Sequence, residues 1–308
     1  MHYQRTVKEE VSCTGIGLHS GKRVKMTIKP AKENEGISFI RKYKRKKYKI
    51  KGDYSNILNG KFATVLGVNG VKISTVEHLL AAFFGLGVDN AIVELDADEV
   101  PAMDGSATSF VYLIKSAGIV KQKAFKKFFL IKKPFTLKEG ERSVAIYPHN
   151  SFAISYTIDF NHPLINNQSY DFIFSEFSFE REIAPARTFG MLKEVEFLWK
   201  NGFAKGGSLD NAIVIDEFRI LNEGGLRFKD EFVRHKILDM IGDLSLLRHP
   251  IIGKVVAHKS GHALNHKVIN QLLSRQDCYE IVEIKEEKEL ERLNITFPDL
   301  TQLKPAFI

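Results

Sequence analysis

The stretch at residues 231–247, EFVRHKILDMIGDLSLL, constrains the fold more than any other. Phe232, Val233, Ile237, Leu238, Ile241, Leu244 and Leu247 recur at helical spacing, so the sequence predicts a helix over 229–247 with an apolar stripe turned into the protein. Yet His235, Asp239 and Asp243 follow one another at intervals of four. Residues four apart share one side of a helix, with Cβ atoms about 5–6 Å apart. Burying two carboxylates without partners costs several kcal/mol each. A bound cation would neutralise them. The plainer alternative, a surface histidine and two acids beside Arg234 and Lys236, sits poorly with apolar neighbours on both flanks.

His235 and Asp239, one turn apart, form a two-ligand metal clip, since zinc bonds imidazole nitrogen and carboxylate oxygen at roughly 2 Å. Catalytic zinc takes three protein ligands and keeps a position for water. His78, in STVEHLL, is the best third candidate. Its neighbour Glu77 points about 100° away around the same helix, which suits a general base beside a metal better than a fourth ligand. Ser74 and Glu77 also match the S-x-x-E capping box, which predicts Ser74 as N-cap and Glu77 at the third helical position. In KSGHALN, Gly261 frees the backbone between a strand and a helix, and His262 stands near the helix start. Asp243 can accept a ring N–H from His262, fixing its tautomer and raising its pKa, so that a protonated His262 serves as acid or electrostatic stabiliser.

The chain has 308 residues, of which 44% are hydrophobic, enough for a sizeable core and about two domains. Strands are predicted at RVKMTIKP, ATVLGV, NAIVELDA, RSVAIYP, FAISYTIDF, YDFIFSE and IIGKVVAH, and helices at STVEHLLAAFFGLG, SFVYLIKSAGI and ALNHKVINQLLSR. The charged EIKEEKELERL, 283–293, reads as exposed. The alternation of sheet and helix in both halves predicts an α+β architecture divided into residues 1–124 and 125–308, with the basic run at 121–133 at the junction. No apolar run reaches a membrane span, and the polar start predicts no signal peptide. Cys13 and Cys278 match no ligand pattern and read as two reduced thiols of a cytoplasmic protein. The formal net charge of +8 suits an anionic partner, and much of it sits in RKYKRKKYKIK, residues 41–51, where eight of eleven residues are basic. No nucleic-acid-binding motif accompanies that run, which reads as a solvated hairpin or loop.

STVEHLLAA, PAMDGSA, ARTFG, GLRFKDEFVRHKILDMIGDL and KSGHALN, in that order and preceded by TGIGLHSG, resemble the zinc-dependent UDP-3-O-acyl-N-acetylglucosamine deacetylases of lipid A biosynthesis. The likeness runs to about residue 280. It implies a fold of two related two-layer domains, each a sheet with two helices, the helices packed between the sheets. It implies a hydrolase that removes the N-acetyl group of UDP-3-O-(3-hydroxyacyl)-N-acetylglucosamine, the committed step of that pathway in Gram-negative bacteria. It implies Zn2+ on His78, His235 and Asp239, Glu77 as general base, and His262 as cationic partner oriented by Asp243. Thr188 of ARTFG matches a threonine that stabilises the oxyanion, and Lys236 a lysine that approaches the substrate. Each domain of the family carries an insert. The first falls where this chain is unusually basic, at 41–51, and suggests transient approach to the anionic inner membrane surface. The second, 189–216, forms an acyl passage in the family. Leu192, Val195 and Trp199 give a short helix there one apolar face, and Phe189, Met191, Leu198, Ile213 and Val214 are further candidates for its lining. Asp159 and Phe160 match nucleotide contacts, and Lys259 suits the diphosphate.

Two rival readings remain. A different zinc hydrolase on this scaffold would share the catalytic set and differ in the insert and nucleotide contacts. A nucleic-acid-binding protein would need a closed four-ligand zinc site, whereas the sequence offers three ligands flanked by acid/base groups. No nucleic acid and no obligate protein partner is expected.

Overall fold

Between Arg23 and Pro30, Val24, Met26 and Ile28 are buried while Arg23 and Lys25 face solvent, the period-two pattern of a strand with one wet face. By contrast nearly every residue of Glu77–Gly85 is buried, the mark of a helix enclosed on all sides. A computed structural model describes residues 2–60 and 62–296. The first part of the chain forms β1 (Tyr3–Val7), β2 (Val11–Ile16), β3 (Arg23–Pro30), β4 (Ile37–Tyr43), β5 (Lys46–Lys51), β6 (Ile57–Leu58), β7 (Val65–Val68), β8 (Val71–Ser74), α1 (Glu77–Gly85), β9 (Ala91–Leu95), α2 (Thr108–Ser116) and β10 (Ile119–Phe125). The rest forms β11 (Lys127–Ile131), β12 (Phe135–Glu139), β13 (Arg142–Tyr147), β14 (Phe152–Ile158), β15 (Gln168–Ile173), α3 (Glu176–Ser178), β16 (Phe189–Met191), α4 (Leu192–Lys200), β17 (Ile213–Ile215), α5 (Glu231–Leu244), β18 (Ile251–His258), α6 (His262–Ser274), β19 (Tyr279–Glu283) and α7 (Glu287–Leu293).

Five strands, in the order β2-β3-β9-β4-β5, make one sheet. In the other, β12, β13, β18, β11 and β19 lie side by side, and β14 adds to β18 in parallel and carries β15. Helix α1 packs directly on α5, with α2 flanking α1 and α6 flanking α5; α2 rests on β2, and α5 on β14 and β15. The architecture is therefore α+β, with the helices between two sheets. One apolar core runs from Val7 to Cys278 without a break across the α1–α5 contact. That contact needs Gly242: a Cβ at this position would collide with the Glu77 carbonyl.

One expectation changes and two become more specific. Ser74 does not cap α1: it ends β8, and its hydroxyl donates to Asp98 O at 3.2 Å. Thr75 follows in the left-handed region at φ 58°, and α1 begins at Glu77 with no side-chain cap. The run 41–51 is the solvated hairpin expected of it, but built into the first sheet as its edge: it spans the end of β4 and all of β5, with Tyr43 opposite Lys46 and only Lys44 and Arg45 in the turn. Residues 287–293, whose Lys288, Glu291 and Arg292 are exposed as expected, form a helix whose Leu290 and Leu293 cover Phe128, Leu130, Ile252, Val282, Ile284 and Ile295, because the charged sequence carries leucines three apart. The division expected at 124/125 falls at the last residue of β10.

Candidate metal centre and active site

Helix α5 presents His235 and Asp239 on one side, one turn apart, against the first turn of α1, which presents Glu77 and His78. His78, His235 and Asp239 are all buried, and one ligand atom from each lies within 4.8 Å of the others. Asp239 Oδ1 is 3.5 Å from His78 Nε2 and 3.4 Å from His235 Nε2, and the two rings meet edge to face at 4.9 Å. His235 Nδ1 donates to Ala186 O at 3.0 Å, which leaves Nε2 as the bare nitrogen aimed at the centre. Burial, only partly opposed by Asp239, lowers the His235 pKa to about 3, so the ring is neutral. Burial would raise the Asp239 pKa, but Lys236 and the surrounding imidazoles hold the carboxyl well below its usual range. Lys236 Nζ reaches Asp239 Oδ2 at 2.5 Å and so leaves Oδ1 to the histidines. Two imidazole nitrogens and one ionised carboxylate oxygen suit a divalent zinc-like cation, with fewer protein donors than a closed structural site uses.

Beside these three groups lies a second cluster. His262, at the start of α6, donates from Nδ1 to Asp243 Oδ2 at 2.8 Å and turns Nε2 toward Glu77 Oε1 at 3.8 Å and Asp239 Oδ2 at 3.9 Å. Burial alone would discharge this imidazolium, but Asp243, Asp239 and Glu77 outweigh burial and lift its pKa to about 10. Asp243 is fully buried, yet its carboxylate also accepts from Asn265 Nδ2 at 2.8 Å and from Thr64 Oγ1 at 2.5 Å, with His266 Nε2 at 3.4 Å. Against burial, His262 and His266 keep its pKa low. Glu77 Oε2 accepts from the Thr64 backbone N–H at 3.0 Å, and burial pushes its pKa up. The missing cap explains this freedom: at the first helical position the Glu77 carboxylate is not folded back on its own helix.

Asp243 stays buried behind His262, but His78, His235 and Asp239, with Glu77 and His262 of the second cluster, line a cavity of about 900 Å³, as do Thr188 and Lys236. Its wall is the insert. Helix α4 is present as predicted, and Leu192, Val195, Leu198 and Trp199 line the cavity with Phe189 and Val214. Ile213 does not: in β17 successive residues point opposite ways, so Val214 faces the cavity while Ile213 and Ile215 are sealed in the core. Met191 packs against that core instead of lining the cavity. Asp159, Phe160 and Lys259 meet in a separate depression with His162, where Lys259 Nζ pairs with Asp159 at 2.9 Å and with Glu141 at 3.0 Å.

Sequence reasoning missed Thr64, Asn265 and His266. Asn265 and His266 lie one helical turn beyond the SGH turn and were within reach of a periodicity argument. Thr64 stands in the unremarkable FATVLG, 179 residues from Asp243, and only the tertiary fold joins the two.

A family model described as UDP-3-O-acyl N-acetylglycosamine deacetylase matches residues 4–274. The UDP-3-O-acyl-N-acetylglucosamine deacetylase of Saccharophagus degradans is 50% identical over 287 residues, covering 92% of this chain and 95% of its own. That of Myxococcus xanthus is 49% identical over 297 residues, covering 96% and 94%. That of Syntrophus aciditrophicus is 50% identical over 277 residues, covering 90% and 88%.

Proposed function

The chain belongs to the UDP-3-O-acyl N-acetylglycosamine deacetylase family, and from that premise we propose how its residues carry out the reaction. It is a hydrolase that deacetylates UDP-3-O-acyl-N-acetylglucosamine, a step of lipid A biosynthesis. The observation that carries the reading is the convergence of His78, His235 and Asp239 within 4.8 Å beside the Glu77–His262 pair.

His78 and His235, each through Nε2, and Asp239 through Oδ1 would hold the metal, which we take to be Zn2+. When bound, the ion supplies Lewis acidity toward the amide carbonyl and water. Glu77 takes the proton of the attacking water; its burial and raised pKa make it a stronger base than an exposed carboxylate. His262, with its Nδ1 proton engaged by Asp243, holds a second proton on Nε2. From there it stabilises the negative charge that develops on the substrate and protonates the departing amine, giving acetate and a free amino sugar. Asp243 orients that ring. Thr188 adds a donor at the developing oxyanion, and Lys236 both fixes Asp239 and offers a cation to the substrate.

Phe189, Leu192, Val195, Leu198 and Val214 take the acyl chain. Asp159, Phe160 and Lys259 take the UDP moiety, with Lys259 exchanging a carboxylate partner for phosphate. Residues 1–124 and 125–308 act as the two structural units, the first supplying Glu77 and His78, the second His235, Asp239, His262 and the acyl-passage insert. No helix among the described residues is long and apolar enough to cross a membrane. The reaction takes place in the cytoplasm, at or near the inner membrane surface, without an obligate protein partner.

Acetate release from the acylated UDP-sugar tests this reading. Turnover is expected to disappear with a chelator and return with stoichiometric zinc. Turnover that persists in metal-free protein would overturn the metal assignment.

A further inference from the structure

The basic hairpin has a property that its composition alone does not reveal. Residues 41–51 hold eight of the chain's 45 Lys and Arg and no carboxylate, so the other 37 cations match the 37 carboxylates and the remaining chain is formally neutral. The whole net charge of the protein is therefore that of one hairpin. Lys49 pairs with Glu35, Lys47 with Glu94 at 3.7 Å, and Arg41 donates to backbone oxygens. Lys42, Lys44, Arg45 and Lys46 are exposed, and no carboxylate among the described residues lies within ion-pair distance of them. Tyr43, 44% exposed, stands at the tip with Lys44 Nζ 5.3 Å from its ring centre.

Strand register fixes where this tip points. Met26 pairs with Leu95, Leu95 with Arg41, and Tyr43 with Lys46, while the β2–β3 turn closes beyond Ile16 and Arg23. The hairpin tip and the 17–22 turn therefore project from the same end of the sheet. Leu18 and His19 of that turn line the cavity assigned to the acyl chain, and Lys205 and Gly206 of the insert hydrogen-bond to it. Cations and an aromatic side chain thus project from the same end of the sheet as the turn that lines the cavity assigned to the acyl chain, with β3 and β9 between the two.

We propose that the β4–β5 hairpin is a docking surface for an anionic phospholipid bilayer, turning the end of the molecule that bears the acyl cavity toward the membrane; this deepens the proposed function and rests on its assignment of an acylated substrate. An array of cations with an interfacial tyrosine fits a headgroup layer, where attraction acts within a Debye length of about 8 Å at physiological salt. The hairpin presents no motif for reading bases, and its place at the same end of the sheet as the turn lining the acyl cavity favours lipid over nucleic acid.

The test is co-sedimentation of the full chain with vesicles of phosphatidylcholine alone or mixed with phosphatidylglycerol, at low and high salt. Binding is expected to the mixed vesicles only and to be released by salt. A variant carrying Lys42→Glu, Lys44→Glu, Arg45→Glu and Lys46→Glu should bind at least a hundredfold more weakly, since each basic residue near such a surface contributes roughly fivefold. It should retain wild-type turnover of dispersed substrate, and the corresponding glutamine variant, which adds no repulsion, should also lose binding. Equal binding to both vesicle types, or undiminished binding by the glutamine variant, would overturn the proposal. So would hairpin-dependent binding to RNA or duplex DNA without binding to vesicles. Absence of turnover on dispersed substrate by the wild type would instead count against the proposed function.

Discussion

Thr64 ties the two proposed acid/base groups together: its backbone N–H holds Glu77, and its hydroxyl holds Asp243, which holds His262. Thr64→Val keeps the first bond and removes the second. A hydrogen bond to a buried charge contributes about 1.5–3 kcal/mol, so kcat is expected to fall roughly ten- to hundredfold with KM and zinc content unchanged. Thr64→Ser should restore most of the rate; full kcat in the valine variant would remove Thr64 from the network. Nothing in FATVLG announces this role, because the partner lies far along the chain. His235, Asp239 and Asp243 were legible because all three stand on one helix whose apolar stripe sets its rotation. Glu77 was legible as a candidate base but not as an uncapped residue, since a threonine at positive φ is a tertiary compromise that local propensity argues against.

At the scale of elements, the site exists because α1 and α5 approach closely enough for residues of both to share one centre. Gly242 permits that approach, and Gly242→Ala forces a methyl group onto the Glu77 carbonyl. Overpacking of this kind costs about 1–3 kcal/mol, and here it also displaces Glu77 and His78. A lower melting temperature with loss of both zinc and turnover is expected, and an alanine variant indistinguishable from wild type would show that the helices can part freely. Just beyond α5, burial, with help from Arg248 and Lys127, lowers the His249 pKa from 6.5 to about 4. The unfolded chain therefore takes up this proton first as pH falls. The stability that neutral His249 preserves is complete above its unfolded pKa and is lost between about pH 6.5 and 4. Denaturant midpoints of His249→Asn should decline less over that interval than those of wild type; parallel curves would contradict the sign. Strand positions such as 23–30 followed directly from alternation, whereas Ile213 was misplaced because an uninterrupted IVI triplet does not reveal which face meets the cavity.

At the scale of the whole molecule, one sheet contributes the 17–22 turn that lines the cavity, the chain of the other carries the insert that walls it, and the helices between them carry the candidate metal-ligating and acid/base residues. The overall class was readable from the alternation of strands and helices; the crossing of residues 205 and 206 onto the 17–22 turn was not, because neither segment has a pattern pointing to the other. Burial of each acyl methylene contributes about 0.8 kcal/mol, so UDP-N-acetylglucosamine without the chain should be a very poor substrate. Val195→Asp should lower kcat/KM for the acylated substrate far more than for the bare one; equal losses would remove α4 from the passage. The central claim is that a metal held by His78, His235 and Asp239 underlies the deacetylation. It is tested most directly by measuring the zinc content and acetate release of purified Asp239→Ala. Folded protein with neither zinc nor turnover is expected, and a variant with full zinc occupancy and wild-type turnover would contradict it.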